Sequence, residues 1–392
     1  MNQLLAEKCA AIMESAVAER FVSGAILLVL KDGKEVLSCQ AGYRDLEQKL
    51  PMERDTILRL YSMSKPVTGA AVMLLLERGM IDLVDPVSKY LPGFAGQKVL
   101  VNGKEVPAER EVSIHDLLSM TSGLPYGDAG SPAADRAKLV FDEIGERLYS
   151  DNPLTLNEIA NRLGQCPLEF QPGARWMYGT SADILGAVVE AVSGRPFAEF
   201  LEKELFEPLG MSDTGFYVPG EKQNRLAKVY REERGTLTEE KTNHLGIRYD
   251  MKVPPAFASG GAGLVSTLED YSKFASMLLG GGELGGARVL KPKTVEYFTA
   301  GSLTPWQRES FWRTWDRMTG FSYGNLMRVL KDPGAAQFVS TAGEYGWDGW
   351  LGCVFGNDPK NKLTFLFGMQ RPDSGTTWLA RRLRNLVTTE LL

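Results

Sequence analysis

The start of the chain combines a helical pattern with a strand pattern. The apolar run 25–30 is followed by Asp32-Gly33 and then by a second strand-like run, 35–39. An Asp-Gly pair between two such runs is a strong signal for a tight β-hairpin. Before the hairpin, apolar residues at helical spacing predict an amphipathic first helix: Leu4, Leu5, Ala11, Ile12 and Val17.

The far end of the chain shows the same elements in reverse order. Residues 351–355 are strand-like, residues 356–361 form a polar turn, and residues 362–369 are strand-like again. The apolar spacing of residues 377–391 then predicts a closing helix. Each end therefore carries a β-hairpin flanked by a terminal helix.

The middle of the chain has mainly the apolar spacing of helices. The predicted helices are 67–77, 114–120, 182–192, 197–205 and 268–279. Strands that are grouped at the ends, instead of alternating with helices, argue against a doubly wound sheet.

The fold class that follows is α/β in the broad sense (α+β), with one antiparallel sheet built from both chain ends, flanked by terminal helices. A large, mostly helical insert separates the two ends. We expect residues 1–65 and 320–392 to form the sheet domain and residues 66–319 to form the mostly helical domain with insertions. A chain of 392 residues, 44% of them hydrophobic, can bury such a core.

Composition excludes several classes of function. The formal net charge is −5, and no basic cluster or stripe is present to neutralise phosphates, so we expect no nucleic-acid partner. No apolar stretch is long enough to span a bilayer, and we expect no membrane association. The expected partner is a small molecule, and the oligomeric state cannot be predicted.

Four cysteines and two histidines limit the metal and redox chemistry. Cys9, Cys39, Cys166 and Cys353 are widely separated and form no Cys-x-x-Cys pair, which favours buried free thiols. With so few imidazoles a zinc site is not expected, and we predict no metal and no cofactor. The N-terminal residues lack the pattern of a signal peptide, so the prediction is a cytoplasmic protein.

The scarcity of histidine also restricts the possible serine chemistry. A Ser-His-Asp triad needs a histidine as proton shuttle, and only His115 and His244 are available. His115 lies at a helix start and His244 in a polar stretch, and no Gly-x-Ser-x-Gly elbow exists. A serine enzyme with this sequence would need another base.

Lysine can serve as that base. Ser62-Met63-Ser64-Lys65 is the only Ser-x-x-Lys in the chain, and positions i and i+3 share one face of a helix. A partly desolvated lysine can become neutral and accept the serine proton. By itself the motif is weak, because a capped helix start with a solvated lysine gives the same letters.

Four further blocks accompany the Ser62 segment in order. They are Ser113 to Leu124, which ends in Thr-Ser-Gly-Leu; Gln171 to Tyr178, a Pro-Gly-x-x-Trp-x-Tyr; Phe206 to Thr214; and Gly260 to Thr267. With these blocks the chain resembles the family of class C β-lactamases, D-alanyl-D-alanine peptidases and family VIII carboxylesterases. The likeness extends over most of the chain and implies the β-lactamase/transpeptidase-like fold.

The resemblance implies a role for each matched residue. Ser62 matches the nucleophile, Lys65 the general-base lysine, and Tyr178 the tyrosine that passes a proton to the leaving group. The backbone N–H groups of Ser62 and Trp350 would form the oxyanion hole. The sequence leaves open whether Lys65 or Tyr178 is the general base, because the two groups titrate together.

Two departures from the lactamase pattern concern the substrate. The family's Tyr-x-Asn has Thr180 as its third residue here, so the amide that helps hold penicillins is missing. A separate Tyr-x-Asn, Tyr323-Gly324-Asn325, lies in a strand-like segment, and we interpret it as a coincidence.

The second departure lies where lactamases and peptidases carry a cation. The matching residues are Trp347-Asp348-Gly349, and Trp-x-Gly at this place resembles the esterase branch. Trp347 is uncharged and suits a neutral ester, and Asp348 would repel a carboxylate if it pointed into the pocket. We therefore predict Trp347, Asp348 and Gly349 as substrate-binding residues of a carboxylesterase for neutral, short-chain esters that forms an acyl-enzyme on Ser62.

Other functions share these motifs. A β-lactamase, a D-amino-acid peptidase or amidase, and an acyltransferase would use the same nucleophile set. A non-catalytic sensor domain of the penicillin-recognising type would keep the fold without the reaction. The aromatic residues of the 306–315 stretch have two interpretations, a packed insert or an apolar wall for the substrate.

Overall fold

The computed structural model describes residues 3–128 and 130–392. Its central feature is an antiparallel eight-stranded sheet of order β12-β13-β14-β15-β16-β1-β2-β3. The strands of this sheet are β1 Gly24–Lys31, β2 Lys34–Asp45, β3 Leu50–Pro51, β12 Phe321–Gly324, β13 Met327–Leu330, β14 Tyr345–Asp348, β15 Val354–Asp358 and β16 Leu363–Met369. Short strands elsewhere are β4 Leu58–Arg59, β5 Lys98–Val101, β6 Lys104–Pro107, β7 Tyr230–Glu233, β8 Thr236–Glu239, β9 Val265–Ser266, β10 Glu283–Leu284 and β11 Ala287–Arg288.

The two ends of the chain meet in the middle of the sheet. Strand β1 pairs with β16 over its length, with Ala25 opposite Met369 and Lys31 opposite Leu363. Asp32 and Gly33 between β1 and β2 both have positive φ, 52° and 73°, as the predicted two-residue hairpin turn requires. The predicted fold class, one antiparallel sheet built from both chain ends, is confirmed.

Helices cover both faces of the sheet. They are α1 Gln3–Ala18, α2 Ser64–Glu77, α3 Ile114–Leu118, α4 Pro132–Arg147, α5 Leu156–Gly164, α6 Ser181–Ser193, α7 Phe197–Leu201, α8 Glu207–Leu209, α9 Leu268–Leu279, α10 Pro292–Phe298, α11 Pro305–Thr314 and α12 Trp378–Leu391. The terminal helices α1 and α12 pack on one face through their apolar stripes. The helical region packs on the other face around α2, whose residues from Ser64 to Leu75 are all buried. From Val67 to Leu75 the helix is apolar except for Thr68, as burial on all sides requires, and Lys65 near its start is a buried ionisable residue.

The observed elements differ locally from the predicted ones. Strand β15 begins at Val354 and continues to Asp358, so the turn that we predicted at 356–361 starts later. The predicted helix 197–205 is α7 followed by a π-helix, Glu202–Phe206. The small hairpins β5–β6 and β7–β8 inside the insert were not predicted, because their strands are short and largely polar.

The division into two domains at residues 65/66 and 319/320 stays a prediction. Within 3–128 and 130–392, no helix has both the length and the apolar character that a membrane crossing needs.

Candidate active site

Ser62 lies on a tight turn directly in front of the buried helix α2. Residues Tyr61–Met63 form a 3₁₀ turn, and Tyr61 has a positive φ of 45° although it carries a side chain. A buried aromatic residue in this conformation is strained, and such strain persists only where the surroundings fix the backbone. Because the backbone of Tyr61 is fixed in this way, the position of Ser62, the next residue, is fixed as well.

Hydrogen bonds from the glycine block and from α9 hold this turn in place. The N–H of Leu264 donates to Ser64 Oγ at 3.0 Å, and the N–H of Leu60 donates to the carbonyl of Leu264 at 2.9 Å. The hydroxyl of Tyr271 on α9 donates to the carbonyl of Met63 at 2.9 Å. The turn is thus tied to a segment about two hundred residues away in sequence.

Lys65 lies one turn after the serine and is completely buried. Its ammonium nitrogen is 3.1 Å from Ser62 Oγ, 3.2 Å from the hydroxyl of Tyr126 and 2.8 Å from the carbonyl oxygen of Gly261. The i to i+3 spacing predicted the first of these contacts. The other two come from distant segments and fix the amine against the serine.

Burial lowers the pKa of Lys65 to about 7, because the charged form loses its hydration. The carboxylates of Asp183 and Asp348 act in the opposite direction and favour the ammonium form. Asp183 is itself buried, accepts hydrogen bonds from Ser259 Oγ at 2.5 Å and Gly261 N at 3.0 Å, and has a pKa raised by desolvation. At neutral pH a substantial fraction of Lys65 is therefore a free amine.

Tyr178 reaches the serine from the loop before α6. Gly179 beside it packs on the Thr-Ser-Gly-Leu segment so closely that a Cβ would lie 1.8 Å from the carbonyl oxygen of Leu124. The Tyr178 hydroxyl is hydrogen-bonded to Ser62, and Lys65 Nζ lies 4.7 Å from the centre of its ring. Burial nevertheless raises the pKa of Tyr178, so it is a neutral phenol at neutral pH.

Trp347 on β14 contacts this tyrosine directly. The indole Nε1 donates to the Tyr178 hydroxyl oxygen at 3.2 Å. An indole N–H can only donate, so it occupies the acceptor side of the phenol. Trp347 thus fixes the orientation of the Tyr178 phenol next to Ser62.

Gly349 lets the end of β14 approach the nucleophile turn. A Cβ at this residue would lie 2.1 Å from the carbonyl oxygen of Leu60 and 3.7 Å from the backbone nitrogen of Ser62. The next residue, Trp350, lines the same cavity as Ser62, and its backbone N–H as part of an oxyanion hole stays a prediction. Its indole is held between Tyr61 and His244, with ring centroids 4.9 and 4.0 Å away.

Asp348 points away from the pocket. Neighbouring residues of a strand face opposite sides of the sheet, and Trp347 faces Tyr178. The Asp348 carboxylate is buried and accepts a hydrogen bond from Thr376 Oγ1, just before α12. We predicted Trp347, Asp348 and Gly349 as substrate-binding residues, but in the described part of the chain none of the three lines the cavity that contains Ser62.

The cavity above Ser62 has a volume of about 960 Å³. Its walls include four tryptophans, Trp176, Trp306, Trp315 and Trp350. The lining also carries the charged side chains of Asp128, Arg175, Glu309 and Arg313, so aromatic and charged groups share the walls. A cavity of this size accepts groups much larger than a short acyl chain.

The aromatic residues of the 306–315 stretch divide between the two predicted roles, packing in the core and lining the cavity. Phe311 is fully buried, and Trp312 donates its indole N–H to a backbone carbonyl at 2.7 Å, so these two are packing residues. Trp306 and Trp315 line the cavity, and the Trp315 ring lies 4.9 Å from the ring of Tyr178. Helix α11 and the residue after it therefore contribute Phe311 and Trp312 to the packing and Trp306 and Trp315 to the cavity wall.

Sequence reasoning missed three residues of the site. Tyr126 contacts Lys65 and comes two residues after the Thr-Ser-Gly-Leu block; Asp183 comes five residues after Tyr178. His244 lines the cavity and stacks on Trp350, and burial lowers its pKa. Tyr126 and Asp183 lie close in sequence to recognised blocks, and this proximity could have identified them. No motif near His244 indicated that it lines the cavity.

The second Tyr-x-Asn, which we interpreted as a coincidence, has a packing role. The amide of Asn325 donates to two backbone carbonyls, at 2.9 and 3.1 Å. The Tyr323 ring is buried edge-on against Trp347, with centroids 4.9 Å apart. Tyr323 therefore packs against Trp347, and Asn325 fixes the backbone nearby.

The fold and this site place the protein in a known class. A family profile described as Beta-lactamase matches residues 9–389, and the chain belongs to that family. It is a serine hydrolase of the β-lactamase fold, as the ordered sequence blocks predicted.

Several named proteins are similar to this chain over most of its length. Protein Rv1367c of Mycobacterium tuberculosis is 33% identical over 363 residues, which cover 90% of this chain and 87% of that protein. Esterase EstB of Burkholderia gladioli is 31% identical over 361 residues, covering 89% and 86%. The solved structure described as EstCE1, a hydrolase with promiscuous acyltransferase activity, superimposes with a TM-score of 0.82 at 27% identity and covers 98% of each chain.

Proposed function

We propose that this protein is a carboxylesterase that hydrolyses neutral carboxylic esters through an acyl-enzyme on Ser62. The observation that carries the proposal is the hydrogen bond from the Trp347 indole to Tyr178, at 3.2 Å. It puts an uncharged donor where a penicillin- or peptide-processing relative would offer a cation to a substrate carboxylate.

Acylation begins with a proton transfer. The neutral amine of Lys65, 3.1 Å from Ser62 Oγ, takes the serine proton as the oxygen attacks the ester carbonyl carbon. The backbone N–H groups of Ser62 and Trp350 donate to the oxyanion that forms. The intermediate collapses when the carbon–oxygen bond to the alcohol breaks.

The leaving alcohol needs a proton. The Tyr178 hydroxyl supplies it, and the ammonium of Lys65, which lies 4.7 Å from the centre of the Tyr178 ring, then returns a proton to the phenolate. We assign the general base to Lys65 and the shuttle to Tyr178, because the pKa of Lys65 is about 7 and that of Tyr178 is raised. In deacylation water repeats the sequence and releases the acid.

Acyl transfer to an added alcohol is a variant of the same mechanism. The cavity of about 960 Å³ has room for a second nucleophile beside the acyl group. EstCE1, with 27% identity, is described as a hydrolase with promiscuous acyltransferase activity. Transfer would appear as a new ester when alcohol is added and would not alter the assignment of the residues.

A substrate panel tests the proposal. The hydrolysis rates of short p-nitrophenyl esters, nitrocefin and a D-alanyl-D-alanine peptide are measured with the wild-type protein and with Ser62→Ala. We expect kcat/KM for the ester to exceed that for nitrocefin at least about 100-fold, because the uncharged Trp347 stands at the position where lactamases and peptidases carry a cation for the substrate carboxylate. Rapid nitrocefin or peptide turnover with little ester hydrolysis would reverse the assignment.

We further propose that the enzyme acts in the cytoplasm. The support is that Cys9, Cys39, Cys166 and Cys353 are all free thiols, three of them buried. Such thiols fit a reducing compartment. Fractionation of the native host would test this directly.

A further inference from the structure

A second cavity lies on the opposite side of β14 from the active site. It has a volume of about 20 Å³ and is lined by three arginines, Arg317, Arg328 and Arg381, together with Thr376. The arginines come from the turn before β12, from β13 and from α12. Three separate elements therefore direct cations at one small space.

Arg328 is the most unusual of the three. It lies on β13 opposite Gly346, it is 1% exposed, and neither of its terminal guanidinium nitrogens has a hydrogen-bond partner. The Nε of Arg317 is likewise buried without a partner. A buried guanidinium with unused donors is costly, so these donors need an acceptor that the protein chain does not supply.

The charges around the cavity do not balance. Within residues 3–128 and 130–392, no carboxylate forms an ion pair with Arg317, Arg328 or Arg381. Asp348 is the nearby carboxylate, and its effect on Arg328 is electrostatic at longer range. A fourth arginine of the neighbourhood, Arg384, is already paired with Glu344.

Arg381 shows that the cavity is built into the fold. Its guanidinium donates to the carbonyl of Thr376 at 3.0 Å, and the hydroxyl of the same threonine donates to Asp348. This arrangement holds α12 against the edge of β14, and Arg381 lines the cavity. Gly375 lies beside both Arg317 and Asp348, because a Cβ there would lie 3.4 Å from an Arg317 nitrogen and 3.5 Å from Asp348 Oδ2.

We propose that the cavity of Arg317, Arg328 and Arg381 binds a single small anion, a halide, which would be chloride in the cell. The small volume suits one monoatomic ion better than an organic carboxylate or a phosphate. An anion would supply the missing acceptor for Arg328 and would neutralise part of the excess positive charge. A water molecule fits the same space but leaves the charge uncompensated.

Thermal unfolding at matched ionic strength tests the proposal. Sodium chloride or bromide is compared with sodium gluconate, whose anion is too large for the cavity. We expect a saturable rise in Tm of about 2 °C at a halide concentration about ten times Kd, since a ligand that binds the folded state stabilises it.

Two arginine variants of α12 provide the control. Arg381→Met removes a cavity cation, whereas Arg382→Met removes the same charge from an exposed neighbour that stacks on Trp378. The halide-dependent rise in Tm should disappear in the first variant and persist in the second. Equal Tm values in chloride and gluconate, or a rise that survives Arg381→Met, would refute the site.

A bromide-soaked crystal of the wild-type protein gives an independent readout. We expect an anomalous peak beside the Arg328 guanidinium. Density without an anomalous signal would mean a water molecule only and would also overturn the proposal. Because the wild-type protein is used, this result does not depend on any variant folding.

Discussion

At the scale of single residues, the chemistry of the site depends on the balance of forces on Lys65. Burial favours the neutral amine, and the carboxylates of Asp183 and Asp348 favour the ammonium. The resulting pKa of about 7 makes the same group a competent base and, once protonated, a competent acid near neutral pH. Neither effect alone would give this value.

The first prediction concerns Asp183→Asn. Removing a carboxylate that favours the ammonium form lowers the pKa of Lys65, so the amine stays deprotonated at lower pH. The acid limb of the profile of kcat/KM against pH, near pH 7 in the wild type, should move down by at least about half a unit. Ester hydrolysis measured from about pH 5 to about pH 9 gives the limb.

Asp358→Asn is the matched control, because Asp358 is also a buried carboxylate but lies at the far end of β15. Its profile should coincide with that of the wild type. An acid limb that stays in place, or moves upward, in Asp183→Asn would show that Asp183 does not set the proton affinity of Lys65.

Single residues of the site were predictable from the sequence where short-range spacing or a recognised block identifies them. The contact between Ser62 and Lys65 follows from the helical repeat, and Tyr178 followed from a recognised block. The contacts of Lys65 with Tyr126 and Gly261 join segments 61 and 196 residues away. No local periodicity encodes such contacts, so they could be found only in the folded chain.

At the scale of elements, strand β14 and the turn before α2 must meet almost backbone to backbone. Gly349 is the residue that permits the contact, with its Cβ position 2.1 Å from the carbonyl oxygen of Leu60. Two residues before Gly349, Trp347 contacts Tyr178, and one residue after it, Trp350 lines the cavity that contains Ser62. The position of Gly349 therefore affects residues on both sides of the proposed nucleophile.

The second prediction follows for Gly349→Ala. The added methyl group must push β14 away from the nucleophile turn, and a displacement of about 1 Å costs about 100-fold in kcat/KM. Steady-state ester hydrolysis measures this loss. We use Gly145→Ala in helix α4 as the control, because a Cβ there meets nothing within 4 Å. Activity within about twofold of wild type in Gly349→Ala would contradict the close approach.

The elements themselves were largely predictable where they are long. Helix α9 coincides with the predicted range 268–279, and α12 starts one residue after the predicted start. The π-helix Glu202–Phe206 and the two-residue strands were not predictable, because they depend on tertiary contacts. The boundaries of β15 were misplaced because Gly356 and Asn357, typical turn residues, are buried inside the strand.

At the scale of the whole molecule, the site forms where the three parts of the chain meet. The nucleophile turn follows the N-terminal strands, Tyr178 comes from the helical insert, and Trp347 comes from a C-terminal strand. The sheet joins the two chain ends through β1 and β16. We therefore expect the complete site to form only in the intact fold.

The overall likeness to the family was predictable from ordered blocks, whereas the shape of the cavity was not. Its volume of about 960 Å³ depends on α11 and on the loop that carries His244. Neither segment belongs to a recognised block. The size of the acyl group, which we predicted to be short, therefore has to be measured with a series of esters.

The central claim is that Ser62 carries the acyl group. The most direct measurement is mass spectrometry of the protein after acid quenching during turnover of a p-nitrophenyl ester. We predict one added acyl group, assigned by peptide fragmentation to Ser62 and not to Ser64, and no adduct in Ser62→Ala. An acyl group on any other residue, or wild-type ester hydrolysis by Ser62→Ala, would contradict the mechanism.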